Sequence, residues 1–351
     1  MRGGEKVLLE LVRLFPQADV FTLVWKRASV SPEIESRVRR TSFLDRWPRA
    51  ATAYRYYLPC FPAAVRSLDL AGYDLILSSS HAVAKGVRVP AGAVHVSYIH
   101  TPMRYLWDSG SDYFAFGRGR RWKRAALSVV APWLRRFDRQ SAGGVTYFVA
   151  NSQNVRSRIQ RIYGAEAAVI YPPVDTDFFT PGGQPADYYL VVSSLEPYKR
   201  IDLAVDAFSG GRRPLLVAGK GTLERELRKR AGSPVEFLGE VNDERLRELY
   251  RHCRALIFPG LEDFGMVPVE AQACGRPVIC YGAGGALETV IDGVTGVQFQ
   301  PQTVEALRAA VERFENASWD SARIREHSLQ FSPKRFQDEM RSFLSQIYPS
   351  L

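Results

Sequence analysis

The chain has 351 residues, 46% of them hydrophobic and 24% charged, which is long enough for two domains with full cores. It shows no apolar stretch of the roughly 18–20 residues a membrane-spanning helix needs and no signal-peptide pattern. Its four cysteines (Cys60, Cys253, Cys274, Cys280) lack metal-type spacing and read as reduced core residues of a cytoplasmic protein. The net charge of +10 is unevenly divided: residues 1–172 carry 26 Lys+Arg against 12 Asp+Glu, and residues 173–351 carry 21 against 25. Such asymmetry points to an anionic partner for the first half.

In chain order, a glycine pair at Gly3-Gly4 runs into a helix with Val7, Leu8, Leu11 and Leu14 on one face. Short apolar strands are expected at 18–25, 73–78, 95–100 and 147–151, with helical or polar stretches between them. A proline-rich segment from Tyr171 to Pro181 reads as a linker. Beyond it the alternation recurs, with strands at 188–193, 214–218, 235–238, 255–258 and 277–281. Strands alternating with helices imply parallel sheets covered on both faces. Pro333 to Leu344, with Phe336, Met340, Phe343 and Leu344 in register, reads as a last amphipathic helix.

Chemistry concentrates after the fourth strand of the second half. In Leu261-Glu-Asp-Phe-Gly-Met-Val-Pro-Val-Glu-Ala-Gln-Ala-Cys-Gly275, Pro268 suits the first turn of a helix, and Gly275 with Pro277 suits its end. Glu262 then lies on a strand-to-helix loop and Glu270 about one turn inside the helix. Between them lie the free N–H groups of a helix start, which suit a phosphate. Carboxylates that accept from sugar hydroxyls beside a phosphate cradle describe a nucleotide-sugar pocket. The plainer alternative is a helix-start acid plus a solvated loop acid.

Leu190-Val-Val-Ser-Ser-Leu-Glu-Pro-Tyr-Lys-Arg-Ile-Asp202 places Lys199 and Arg200 near a strand end, where doubly wound sheets bind ligands. The glycine turn Gly219-Lys-Gly221 fails the Walker pattern, because Gly221 stands where Ser or Thr is required, and reads as structural. Gly282-Ala-Gly-Gly285 offers close backbone approach to a ligand. In the first half, His100 ends a strand ahead of Arg104 and Trp107, and Asn151-Ser152 reads as a helix cap. Asp175-Thr-Asp177 imitates a metal-binding carboxylate pair, but its proline neighbours mark a linker, so no metal site is expected. Phe116 to Arg139 holds eight Lys/Arg, one acid, Trp122, Trp133 and Phe137, and reads as an interfacial segment on anionic lipid, with Tyr54 to Phe61 extending it.

Taken together, these motifs resemble glycosyltransferase family 4. The resemblance implies an α/β chain of GT-B architecture, two doubly wound Rossmann-like domains facing across a cleft. Residues 1–172 would form the acceptor-side domain and 173–331 the donor-binding domain, with 332–351 a helix crossing back to the first. It implies retaining hexosyl transfer from a nucleotide sugar without metal or other cofactor. In it Glu270 holds the ribose, Glu262 meets the donor sugar, and Phe264, Gly265, Met266 and Val267 line the donor site. Lys199 with Arg200 stabilises the departing diphosphate, and His100 faces the donor sugar. The segments Glu196-Pro-Tyr-Lys-Arg, His100-Thr-Pro and Ser79-Ser-His-Ala-Val-Ala-Lys-Gly86 look most like bacterial mannosyltransferases using GDP-mannose.

The acceptor would be a glycan or lipid-linked glycan, and the protein peripheral on the inner membrane face through its basic half, with no nucleic acid. Two departures stand out. Ser194 occupies the position where the family usually has an arginine, and the family usually begins with a strand ahead of the glycine pair. A missing strand would leave pairing edges open. The alternatives are therefore a catalytically impaired nucleotide-sugar-binding protein or a GT-B nucleotide-sugar epimerase.

Overall fold

The computed structural model describes residues 3–108 and 120–348, the side chains of 120–127 excepted. The described chain divides into two compact units, one of residues 3–108, 121–173 and 334–348, the other of Val174–Pro333.

In the first unit, β1 (Val20–Thr22) and β2 (Val38–Thr41) form a parallel pair. Strands β3 (Leu75–Ser80), β4 (Val94–Ile99), β5 (Tyr147–Ala150) and β6 (Ala167–Val169) form a separate parallel sheet in sequential order. β4 is buried at five of its six positions, as a strand covered on both faces must be. The first described helix, Gly3–Leu14, contributes Val7 and Leu11 to the core under β4 and β5. Leu9 and Val12 are buried as well, against Val20 and Ile34, so the helix is covered on two sides rather than on the single face its spacing suggests. The last helix, Pro333–Ile347, sets Phe336, Met340 and Leu344 in the same core as Val7 and Leu11.

In the second unit, β7 (Tyr189–Val192), β8 (Leu215–Ala218), β9 (Val235–Gly239), β10 (Leu256–Phe258), β11 (Val278–Tyr281) and β12 (Gly296–Phe299) form one parallel sheet, ordered β12-β11-β10-β7-β8-β9. The chain runs outward from β7 through β9, then returns to the other side of β7 and runs outward again. The reversal opens a crevice at the carboxyl ends of β7 and β10.

The proline-rich segment after 173 is held tightly to this unit. Arg325 donates to the carbonyls of Thr176, Phe179 and Ala273 at 2.7–2.9 Å, and Arg251 donates to Thr180. Asp175 accepts from the N–H of Phe178, three residues on, at 2.9 Å, and Thr176 is buried. Strands β2, β6 and β12 carry no strong apolar alternation and are not evident in the sequence.

Candidate active site

β7 and β10 leave the sheet side by side, and each delivers one charged group. After β7 the 3₁₀ turn Pro197–Lys199 presents Lys199, and after β10 the loop presents Glu262; Lys199 Nζ and Glu262 Oε1 form an ion pair. Their side chains are 20% and 17% exposed, so the pair sits at the crevice mouth, neither sealed in nor in open solvent. Lys199 Nζ also lies 5.2 Å from the centre of the Tyr198 ring.

Backbone contacts bring these loops together. A Cβ on Gly260 would lie 2.9 Å from the Lys199 carbonyl oxygen, closer than any side chain tolerates. Gly285 N–H donates to the Glu262 carbonyl at 2.9 Å, and a Cβ there would lie 2.5 Å from Asp263 O and from Phe264 N. Only glycine lets the 282–285 loop lie against the Glu262 loop.

The helix Met266–Ala273 follows from Gly265, whose φ is +96°, and ends at Cys274, with Gly275 at φ +75°. Its first-turn N–H groups face the loop side. Phe264 is 3% exposed and packs its ring on Phe331 at 5.4 Å, so its contribution to the site is backbone only. Glu270 is 4% exposed and accepts a 2.9 Å hydrogen bond from the Tyr250 hydroxyl. Burial, then the neighbouring Glu270 carboxylate, push the Tyr250 phenol well above its ordinary range, which keeps it a donor.

Arg200 is not brought to Glu262. It sits at φ +53°, in the left-handed region, between the 3₁₀ turn and the helix Ile201–Phe208, with its guanidinium on Asp202 (3.2 and 3.3 Å) and on Gln302 Oε1 (3.3 Å). In this arrangement its charge is met by the carboxylate two residues on, as that of Lys199 is met by Glu262. Gln302 Nε2 donates to the Pro259 carbonyl at 2.8 Å, and Gln300 Nε2 donates to the Gly282 carbonyl. Tyr250, Gln300 and Gln302 thus brace the site, and sequence reasoning missed all three. Only their glutamine-rich setting, Gln298-Phe-Gln-Pro-Gln302 after an apolar stretch, could have signalled two of them.

The Gly219–Gly221 turn serves packing. A Cβ on either glycine would collide with the Ser193–Leu195 backbone, and Leu195 N–H donates to the Lys220 carbonyl at 3.0 Å. Among the described residues no cluster of three or more His, Cys, Asp or Glu side chains could hold a metal.

In the first unit, His100 follows β4, with its Nε2 2.8 Å from Ser79 Oγ and its ring 5.2 Å from that of Tyr98. A Cβ on Gly4 would lie 3.6 Å from the same Nε2, so the glycine pair and His100 are neighbours. Ser152 caps the helix Gln153–Tyr163 through the Val155 N–H at 3.0 Å.

A family profile described as Glycosyltransferase Family 4 matches residues 1–178, and one described as Glycosyl transferases group 1 matches residues 178–330. The chain belongs to glycosyltransferase family 4. A D-inositol 3-phosphate glycosyltransferase of Geodermatophilus obscurus is 33% identical over 260 residues, covering 62% of this chain and 57% of that one. The O-antigen chain mannosyltransferase C of Escherichia coli is 31% identical over 150 residues, 40% of each chain. The chain spans about half the length of the curated relatives it matches.

Among solved structures, Anabaena Alr3699/HepE in complex with UDP and glucose superposes with a TM-score of 0.65 at 19% identity, covering 98% of this chain and 96% of that one. Sucrose-phosphate synthase from Thermosynechococcus elongatus superposes with a TM-score of 0.68 at 19% identity, covering 95% and 89%. These likenesses carry the fold, which is of the GT-B class: two α/β units built on parallel sheets in one chain.

Proposed function

We propose that this chain is a retaining hexosyltransferase that moves mannose from GDP-mannose to a glycan or lipid-linked glycan in cell-surface polysaccharide synthesis. The observation that carries the reading is the Lys199–Glu262 pair at the reversal point of the second sheet. An ammonium there meets negative charge as it develops on a departing diphosphate, with charged hydrogen bonds worth about 1.5–3 kcal/mol each. The Glu262 carboxylate, released from Lys199 by that anion, accepts from the hexose hydroxyls. The N–H groups from Gly265 to Val267 complete the diphosphate cradle, and Glu270, oriented by Tyr250, accepts from the ribose. His100 is a further residue of the transfer in this reading. Because Lys199 supplies the positive charge, the transfer needs no metal ion in this reading and survives chelation with EDTA. Likeness to the O-antigen mannosyltransferase supports mannose as the hexose.

The acceptor is reached at a membrane in this reading, the protein being peripheral on the inner, cytoplasmic face. No described helix is long and apolar enough to cross a bilayer. Exposed Trp47, Tyr56, Val129 and Trp133 stand among the exposed arginines 46, 49, 55, 135 and 136, a composition suited to anionic lipid headgroups. Phe137, expected to join them, is 5% exposed and belongs to the core, because the helix Arg120–Ala142 turns that face inward with Leu134. Trp122 lies outside the described side chains.

Calorimetric titration with GDP, UDP and ADP tests the donor: GDP binds most tightly, and a preference for UDP overturns GDP-mannose. Glu262→Gln lowers release of GDP from GDP-mannose by about 10²–10³-fold, the scale of one lost electrostatic contact to the transition state. Unchanged release would remove the pair from the mechanism.

A further inference from the structure

Outside the site, charged and polar groups also converge in the interior of the first unit. Asp138, on the helix Arg120–Ala142, is 0% exposed and collects three donors from three separate segments. Lys85 Nζ, 1% exposed and on the loop that leaves β3, is ion-paired to Oδ1. The Trp107 indole N–H, at the end of the segment that leaves β4, donates to Oδ2 at 2.6 Å, and the Tyr163 hydroxyl, at the end of the helix Gln153–Tyr163, donates to Oδ2 at 2.9 Å.

The packing is shaped for this contact. Gly86 follows Lys85, and a Cβ there would lie 2.6 Å from Phe137 Cζ, so glycine lets the β3 loop close on the helix. The β4 segment is also tied by Arg135, whose Nε donates to the Leu106 carbonyl at 2.7 Å, and by Arg158, which meets Asp108 at 2.7 Å and the Pro102 carbonyl at 3.5 Å. A buried ion pair of this kind is a poor source of stability, since well-packed apolar groups do as well or better, so stability alone does not account for it.

We propose that Asp138 is a positioning residue: its buried carboxylate clasps the loops that leave β3 and β4, and so fixes His100 on the end of β4. His100 stands where the clasped loops begin, bonded to Ser79 of β3 and followed by the segment that ends at Trp107. Its use in transfer rests on the reading of the site given above, but its placement does not. Tying both loops to one carboxylate narrows the arrangements open to their near ends, which is what a sugar-facing imidazole requires.

Asp138→Asn leaves the Lys85 ammonium without its counter-charge and risks misfolding, so the test uses two milder variants of the full chain. Trp107→Phe and Tyr163→Phe each remove one neutral donor from the same oxygen, Oδ2, and Tyr163→Phe keeps the ring that stacks on Lys85 at 4.9 Å. A merely structural carboxylate predicts equal effects. A clasp predicts that Trp107→Phe alone shifts the His100 imidazole signal among the five histidines in a long-range ¹H–¹⁵N spectrum. It also predicts that Trp107→Phe lowers kcat for GDP release from GDP-mannose at least tenfold beyond Tyr163→Phe, with the Kd for GDP within twofold of wild type. An unmoved His100 signal in Trp107→Phe, or equal shifts in both variants, overturns the clasp whatever the enzyme's activity. A moved His100 signal with no GDP release from wild type supports the clasp and refutes the GDP-mannose reading instead.

Discussion

In the second unit the loops that carry polar groups meet backbone to backbone; in the first they are held from beneath by charged side chains. Gly260 lies on Lys199, Gly285 on Asp263 and Phe264, and Gly221 on Leu195, each at a distance no Cβ allows. The corresponding loops after β3 and β4 instead reach down to Asp138 through Lys85 and Trp107. Glycine contacts fix loop spacing to within a few tenths of an ångström. A buried carboxylate fixes only the points where its donors attach, and it adds a charge that must stay compensated. The second unit's site is therefore built like a core, and the first-unit loops like a tethered surface.

The largest expected effect tests that tether. Lys85→Met leaves Asp138 buried and unpaired, and should destabilise the protein by about 3–5 kcal/mol. Replacing all four polar members, Lys85→Met and Asp138→Leu with Trp107→Phe and Tyr163→Phe so that neither donor to Oδ2 is left without an acceptor, should recover most of that loss. Urea unfolding of wild type, Lys85→Met and the fourfold variant decides the matter. A fourfold variant no more stable than the single one would mean that the cost lies in packing and not in the uncompensated charge.

The glycines come next and sharpen the contrast directly. Gly285→Ala places a methyl against the backbone of Asp263 and Phe264, which cannot yield, whereas Gly86→Ala meets the edge of the Phe137 ring, which can rotate. Overpacking of the second kind costs about 1–3 kcal/mol, and the first should cost more and abolish nucleotide binding. Chemical unfolding and GDP titration on both variants measure the difference. Equal costs would erase the distinction between the two ways of holding loops.

The same distinction explains how far sequence alone could go. Glu262, Glu270, Lys199 and the glycine loop at 282–285 fall in short runs between an apolar strand and a helix start, so spacing shows them together. The alternation of strands and helices made the doubly wound architecture readable too. Asp138 and Lys85 lie 53 positions apart, and nothing local in Ala-Lys-Gly or Phe-Asp-Arg shows that they meet. Tyr250, twenty positions before Glu270, is hidden in the same way, inside an ordinary amphipathic helix. Arg200 lies two positions from Asp202, and the short run Lys-Arg-Ile-Asp does not show which carboxylate each cation meets. The arginine-rich helix held a core aromatic, Phe137, where composition suggested a surface one.

The smallest effect separates the units by pH. His95 in β4 is fully buried, with Nδ1 donating to the Gly144 carbonyl at 3.0 Å and Nε2 2.9 Å from Ser78 Oγ; burial lowers its pKa. His327 in the second unit is half-buried, with Nδ1 donating to Gln272 Oε1 at 2.8 Å, and burial lowers its pKa too. Each is neutral in the fold and protonates more readily once unfolded. The stability each lends is therefore complete above the unfolded value of about 6.5, and is lost as pH falls from there toward the lowered folded value. Hydrogen exchange read separately for β4 and for the helix Ser321–Leu329 should show both regions losing protection between about pH 7.5 and 5.5. The loss should be greater at β4, since complete burial penalises the imidazolium more than partial burial does. His95→Gln should flatten the β4 profile and leave that of the 321–329 helix unchanged, whereas a profile still steep in this variant would place the titrating group elsewhere in the first unit.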